Sequence, residues 1–200
     1  MIHYAGDKMS FIDMETGEII TCDVFIATLP FSGLTFCIAT VRQRLQDVLY
    51  GFGESIRYFG GVSKIVLSDN MKTLVTRSNR YEPLFTELCH QLSAHYGNVF
   101  QATRPAKPRD KAMVEGHVKI VYQQVYALLR KRTFYSLKEL NIALRDQIEK
   151  LNNKPYKNSS QCRWSIYLER EKEFMIPVPQ AAFVMKNKVT LKVQRNYHVQ

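Results

Sequence analysis

Two carboxylates in this 200-residue sequence are set where they could act together. Asp69 ends the apolar run KIVLSD, with Asn70 beside it, and Glu115 opens EGHVKIVYQQVYALL, whose apolar residues recur at helical spacing. A strand ending in one acid and a later helix beginning with another can bring the two together over a sheet. Carboxylates a few ångströms apart repel each other unless one is protonated or a divalent cation bridges them. Hard cations such as Mg²⁺ take a few carboxylates together with waters and phosphate oxygens. A pair of such ions can clamp the attacking and leaving oxygens of an in-line phosphoryl displacement. Each residue also has a plain structural use. Asp-Asn commonly ends a strand in a turn, an acid in a first turn complements the helix dipole, and Glu115 and Lys119 are spaced for an i, i+4 ion pair. Taken together, the residues favour metal-dependent chemistry on phosphate esters, with Asn70 placed to donate to phosphate or to orient a ligand.

The charge pattern points to the same kind of partner. The chain carries a formal +10, unevenly distributed. Residues 1–35 hold one lysine against five acids, whereas residues 101–135 hold eight basic residues, among them Arg104, Lys107, Arg109, Lys111 and Lys119, against Asp110 and Glu115. A basic block around one helix suits a phosphate backbone, and a solvated basic face on a stable fold is the alternative.

These residues must be held by elements that the periodicity predicts. Residues 2–12 and 19–29 read as strands around the turn DMETGE, and LTFCIATV (34–41) as a third, giving an antiparallel meander. Leu45, Val48, Leu49, Phe52, Ile56 and Phe59 mark an amphipathic helix stopped by Gly60-Gly61. Strands follow at 64–70 and 98–104, with an irregular loop at 71–80 and a helix around Phe85, Leu88 and Leu92. Val114, Val118, Val121, Val125 and Leu128 form the stripe of a further helix. Ser136 and Glu139 make a capping box for a last one. The order βββαβαβαα implies an α/β domain with a mixed five-stranded sheet, three strands antiparallel and two parallel, flanked by helices. Residues 1–153 read as the core, 154–184 as a linker, and 185–200 as the start of a small β module.

With 46% hydrophobic residues the chain can bury a core, and no apolar run has the length of a membrane span. A soluble cytoplasmic protein with no membrane partner is expected. Cys22, Cys37, Cys89 and Cys162 are scattered without a close pair, so free thiols are expected rather than disulfides or zinc. His90, His95 and Cys89 do not have a zinc spacing. Trp164, with Tyr156 and Tyr167, could stack on DNA or anchor the linker.

HYAGDKMSFIDMETGEI, LPFSGLTF, YFGGVSKIVLSDNMK, RYEPLFTELCHQLSAHYG and RPAKPRDKAMVEGHVKIVYQQVYALLRKRTFYSLKELN together resemble the catalytic core of IstA-type insertion-sequence transposases. These belong to the DDE transposases and retroviral-type integrases. The resemblance runs in one register from about residue 2 to residue 155. It implies a ribonuclease H-like fold and Mg²⁺- or Mn²⁺-dependent polynucleotidyl transfer at transposon DNA ends, with target DNA as a second substrate. It also implies a homo-oligomeric synaptic complex and an IstB-like AAA+ ATPase helper. Asp69 is then the second acid of a triad and Glu115 the third. The first acid is where the sequence departs, because IHYAGDK puts His3 where the resemblance expects an aspartate. Asp7, four residues on, is a fallback on the same face of a regular strand, about 13 Å further along at ~3.3 Å per residue. An imidazole suits Mg²⁺ less well than an oxygen ligand, so impaired catalysis is expected. The rival reading is a non-catalytic DNA-binding or oligomerising remnant, and a stand-alone nuclease of the same fold is a third. The resemblance further implies a helix-turn-helix region and a complete C-terminal β-barrel, neither of which the sequence shows in full, so a fragment is expected.

Overall fold

The structure is a computed structural model that describes residues 1–68, 71, 74–77, 84–102, 116 and 119–186. In chain order the strands are β1 (Ile2–Tyr4), β2 (Met9–Ile12), β3 (Ile19–Thr28), β4 (Thr35–Thr40), β5 (Ile65–Ser68), β6 (Val75–Arg77), β7 (Leu84–Phe85) and β8 (Val99–Ala102). The helices are α1 (Leu45–Phe59), α2 (Glu87–Tyr96), α3 (119–129), α4 (Leu137–Asn153) and α5 (Arg163–Arg170).

The sheet is organised around β3. Its sequence, IITCDVFIAT, is rich in β-branched and aromatic residues that suit a pleated surface, and residues 22–28 are buried. On one edge β3 pairs antiparallel with β4, from Asp23–Thr40 to Thr28–Thr35. On the other it pairs antiparallel with β2 along its first half and with β1 along its second. β5 then joins β1 in parallel, and β8 joins β5 in parallel. The resulting order β4–β3–β1–β5–β8, with β2 alongside β3, is the mixed sheet expected from the sequence. The difference is that the first strand is two segments, because residues 5–8 leave the ladder.

Both faces of this sheet are covered. On one, Phe25 and Ala27 pack with Val48, Phe52 and Ile56 of α1, Leu88 and Leu92 of α2, and Tyr167 of α5. On the other, Val24 and Ile26 pack with Val121 and Val125 of α3 and Leu140, Leu144 and Ile148 of α4. α1 lies so close to the sheet at Gly51 that a Cβ there would stand 2.7 Å from Cγ of Phe25. It ends as expected at Gly60, whose φ of 69° is the left-handed conformation a glycine supplies at a helix C-terminus. Ser136 caps α4 by accepting from the Glu139 N–H at 3.1 Å. The Glu139 carboxylate reaches back to the Tyr135 N–H rather than to that of Ser136, so the expected box is closed one residue early.

Two further expectations change. Part of the region read as an irregular loop, 71–80, contributes β6, which pairs antiparallel with β7. The segment read as a linker carries α5, and it is fastened to the domain. The buried Tyr167 hydroxyl donates to the Phe59 carbonyl, and Val62 and Ile176 exchange N–H···O bonds of 2.8 Å. Trp164 packs on Tyr58 and Tyr167, and the Tyr156 hydroxyl donates to the Ser32 carbonyl at 2.7 Å. These aromatics anchor the segment, which is the second of the two uses considered for them. A short helix of eight residues with one apolar stripe gives too little periodic signal to separate from a polar linker. Residues 187–200, expected to begin a β module, lie outside the described residues.

Cys22, Cys37, Cys89 and Cys162 are free thiols, the first three of them buried. Burial raises the Cys22, Cys37 and Cys89 thiols to about 11, 12 and 11, which keeps them protonated and unreactive at neutral pH. No helix among the described residues is long and apolar enough to cross a membrane.

β4 is an edge strand, and α4 covers its open side with two asparagines. The Asn141 amide accepts from the Ala39 N–H at 2.7 Å and donates to the Ala39 carbonyl at 3.1 Å. Asn152 does the same at Thr35, at 3.2 and 2.7 Å, and also donates to the Tyr58 hydroxyl. Asn152 is fully buried, so replacing it leaves the Thr35 backbone groups without partners away from water. Asn152→Ala should destabilise the protein by about 2–4 kcal/mol, against about 1 kcal/mol for Asn141→Ala, whose side chain is only partly buried. Urea denaturation of the two variants measures the difference.

Candidate active site

β1 brings His3 to the centre of the sheet. His3 pairs with Ile26 of β3, so its side chain lies on the face that α3 and α4 cover, and it is only 3% exposed. On the other side of β1, Ile2 pairs with Ser68, the last residue of β5. His3 and Asp69 are the next residues of these two parallel strands in sequence. Asp69 itself, together with Asn70, Arg104, Lys107, Arg109, Lys111 and Glu115, lies outside the described residues.

Asp7 does not continue the strand that carries His3. Tyr4 pairs with Phe25 and Met9 with Cys22, so residues 5–8 lie opposite only residues 23 and 24. This bulge cancels strand alternation across the gap, and the argument that put Asp7 on the same face as His3 does not apply. Asp7 is exposed. Its backbone is held from both sides. The Asp7 N–H donates to the Tyr122 hydroxyl at 2.7 Å, and the Tyr126 hydroxyl donates to the Asp7 carbonyl at 3.2 Å. The next residue, Lys8, forms an ion pair of 3.1 Å with Asp23. Asp23 is 5% exposed in the middle of β3 and also accepts from Gln43 at 2.9 Å. Sequence reading did not single out Asp23, although an acid inside the apolar run IITCDVFIAT was a visible sign that a buried charge would need partners.

Gly116 and residues 119–129 are helical, and Lys119 is exposed. α3 is not a regular α-helix, because Tyr122–Tyr126 form a π-helical turn. Val121, Val125 and Leu129 are buried at intervals of four, with Tyr126 buried beside Val125, whereas Leu128, expected in the buried stripe, is 60% exposed. The wider turn rotates the following residues enough to exchange Leu128 for Leu129.

Among the described residues no group of three or more His, Cys, Asp or Glu side chains could hold a metal ion. Asp69 and Glu115, the carboxylates expected to hold a hard cation, are outside those residues, and the expected first position is His3, a buried imidazole that suits softer ions better than Mg²⁺. His95 stacks edge-on against Tyr96 and Phe183, and the Cys89 thiol donates to the Leu74 carbonyl at 3.4 Å, so these two side chains are packed into the fold.

No family model matches the sequence. The chain is 36% identical over 197 residues to a Sinorhizobium fredii protein that carries a provisional transposase name, covering 98% of this chain and 38% of that protein. It is 34% identical over 199 residues to a similarly named protein for insertion sequence IS1162 of Pseudomonas fluorescens, covering 100% of this chain and 36% of that protein. The chain thus spans less than two fifths of the length of these relatives. In fold it is similar to the catalytic core domain of BIV integrase, with a TM-score of 0.59 and 16% identity, covering 85% of this chain and 95% of that one. It is also similar to the HTLV-2 integrase catalytic core domain solved in complex with magnesium in a trimeric form, with a TM-score of 0.55 and 14% identity, covering 82% and 93% of the two chains.

The π-helical turn has a direct test. Leu129→Ala should cost about 2–5 kcal/mol, as for other buried leucines, and Leu128→Ala should change stability by no more than ~0.5 kcal/mol. Chemical denaturation that ranked the two in the opposite order would restore a regular helix.

Proposed function

We propose that the chain has a ribonuclease H-like core and is the part of a DNA transposase that carries out polynucleotidyl transfer at transposon ends, with residues 1–153 as the catalytic core and 185–200 leading into a β module. It is similar along its length to a segment of proteins named as insertion-sequence transposases, and in fold to integrase catalytic core domains. The parallel pairing of Ile2 with Ser68 carries the reading. His3 and Asp69 are the residues that follow these two partners in sequence, which supports reading them as parts of one site. Glu115 precedes α3, whose Val121 and Val125 pack on the face that contains Ile26, the partner of His3.

On this reading Asp69 and Glu115 hold Mg²⁺ or Mn²⁺, and Asp7, on its bulge, is not the first acid. The bound cation supplies charge neutralisation at the phosphoryl group and activation of the attacking hydroxyl. The chain's own residues bind and orient the DNA. Arg104, Lys107, Arg109, Lys111 and Lys119 hold backbone phosphates of transposon-end and target DNA, and Asn70 donates to a phosphate oxygen. The protein acts in the cytoplasm beside the nucleoid, as a homo-oligomer with an IstB-like ATPase helper. His3 favours a second reading, a DNA-binding or oligomerising remnant with little turnover, because an imidazole replaces one of three expected carboxylates.

Two measurements test these readings. DNA affinity should fall linearly with log salt, and alanine at Arg109, Lys111 and Lys119 together should flatten the slope by roughly one unit per lost phosphate contact. An unchanged slope returns this face to a solvated surface. In strand transfer of pre-cut transposon ends, residual activity should favour Mn²⁺ over Mg²⁺. His3→Asp should raise Mg²⁺-dependent transfer at least ~10-fold, equivalent to ~1.4 kcal/mol of barrier, and Asp69→Asn should abolish it. Loss of activity in Asp7→Asn with no gain in His3→Asp would make Asp7 the first acid.

A further inference from the structure

The 5–8 bulge and α3 meet at the rim of the core they share, and two tyrosine hydroxyls make the polar join. Tyr122 and Tyr126 are i, i+4 on α3, with ring centroids 4.8 Å apart, and they occupy the first and last positions of the π-helical turn. Between them they take both polar groups of one residue in the bulge, the N–H and the C=O of Asp7. On that side the bulge also packs Ala5 into the core that holds Tyr126. Across the sheet its anchors are the Ala5 N–H to the Val24 carbonyl, 2.9 Å, and the Lys8–Asp23 ion pair. Gly6 lies against the Tyr122 hydroxyl, where a Cβ would make ordinary contact at 3.5 Å. Tyr126 is largely buried, and burial raises its hydroxyl above the usual range, so it stays a donor at any working pH. π-helical turns are rare and recur at functional sites.

We infer that Tyr122 and Tyr126 are positioning residues that clamp the 5–8 bulge, fixing the distance between the strand that carries His3 and the helix that follows Glu115. In sequence, His3 lies four residues before Asp7, and Glu115 lies seven before Tyr122. A slip of α3 along the sheet would move its N-terminal side relative to β1, and the clamp opposes that slip through the two hydrogen bonds that join helix and bulge. The inference rests on the metal site proposed above for its consequence, but not for its geometry.

The test uses Tyr122→Phe and Tyr126→Phe in the full 200-residue chain, which remove the hydroxyls and keep the rings. Hydrogen exchange at residues 5–8 reports the clamp, and Mn²⁺ binding followed by its paramagnetic resonance reports the site. Each variant should speed exchange at 5–8 about tenfold, the effect of losing one hydrogen bond, and weaken Mn²⁺ binding several-fold with little change in melting temperature. Val125→Ala serves as the control for plain destabilisation, lowering the melting temperature without weakening Mn²⁺ binding. Unaltered exchange in both tyrosine variants overturns the clamp whatever the metal result. Faster exchange with unaltered Mn²⁺ affinity, while Asp69→Asn loses Mn²⁺, overturns the positioning role. Unaltered Mn²⁺ binding in Asp69→Asn overturns the metal site, and the positioning role with it, while exchange still decides the clamp.

Discussion

A strand buried on both faces has no water to satisfy its backbone, so each of its edges must be paired. β3 is that strand, and the rest of the domain follows from it. β4 takes one edge and β1 with β2 the other, and alternate side chains of β3 are shared between two helical layers. Because the partners on one edge are two short segments rather than one long strand, the surplus residues 5–8 must leave the ladder. The bulge that results is next to His3, so the same constraint that builds the core also shapes the edge of the candidate site.

The outer strand β4 raises the opposite problem, an edge that could recruit another chain. α4 covers it with side-chain amides rather than with apolar contact. Asn141 and Asn152 reproduce at Ala39 and Thr35 the paired N–H and C=O bonds of a neighbouring strand. An amide can do this because it carries both a donor and an acceptor. α4 is thereby held to the sheet in one register, and its position limits where α3, packed beside it on the same face, can lie.

Within the candidate site, charge is handled differently at two neighbouring places. Asp23 is buried but paired with Lys8 and Gln43, and so works as a structural anchor for the bulge. Asp7, one residue before Lys8, is exposed and contributes its backbone rather than its carboxylate to the hydrogen bonds there. A short motif such as AGDK therefore holds an acid whose importance lies in the shape of the chain around it.

The sequence by itself determined the order of the main elements and the mixed character of their sheet, because the period-2 run of β3 and the 3.6-period stripes of α1 and α4 are local signals. It also determined the extent of α1, through the glycine that must take a positive φ, and the identity of the acids and basic residues that could act on a phosphate. What periodicity could not supply was decided by contacts between distant residues. The bulge at 5–8 exists because β3 offers only two residues there. The π-helical turn, which turns Leu129 in and Leu128 out, coincides with the pair of tyrosines that reach back 115 and 119 residues to Asp7. The fastening of the segment that carries α5 depends on Phe59, Val62 and Ser32, all more than a hundred residues before the groups they bond. A local pattern records which face of an element is apolar, but a hydrogen bond between groups a hundred residues apart leaves no periodic trace, so only the folded chain reveals it.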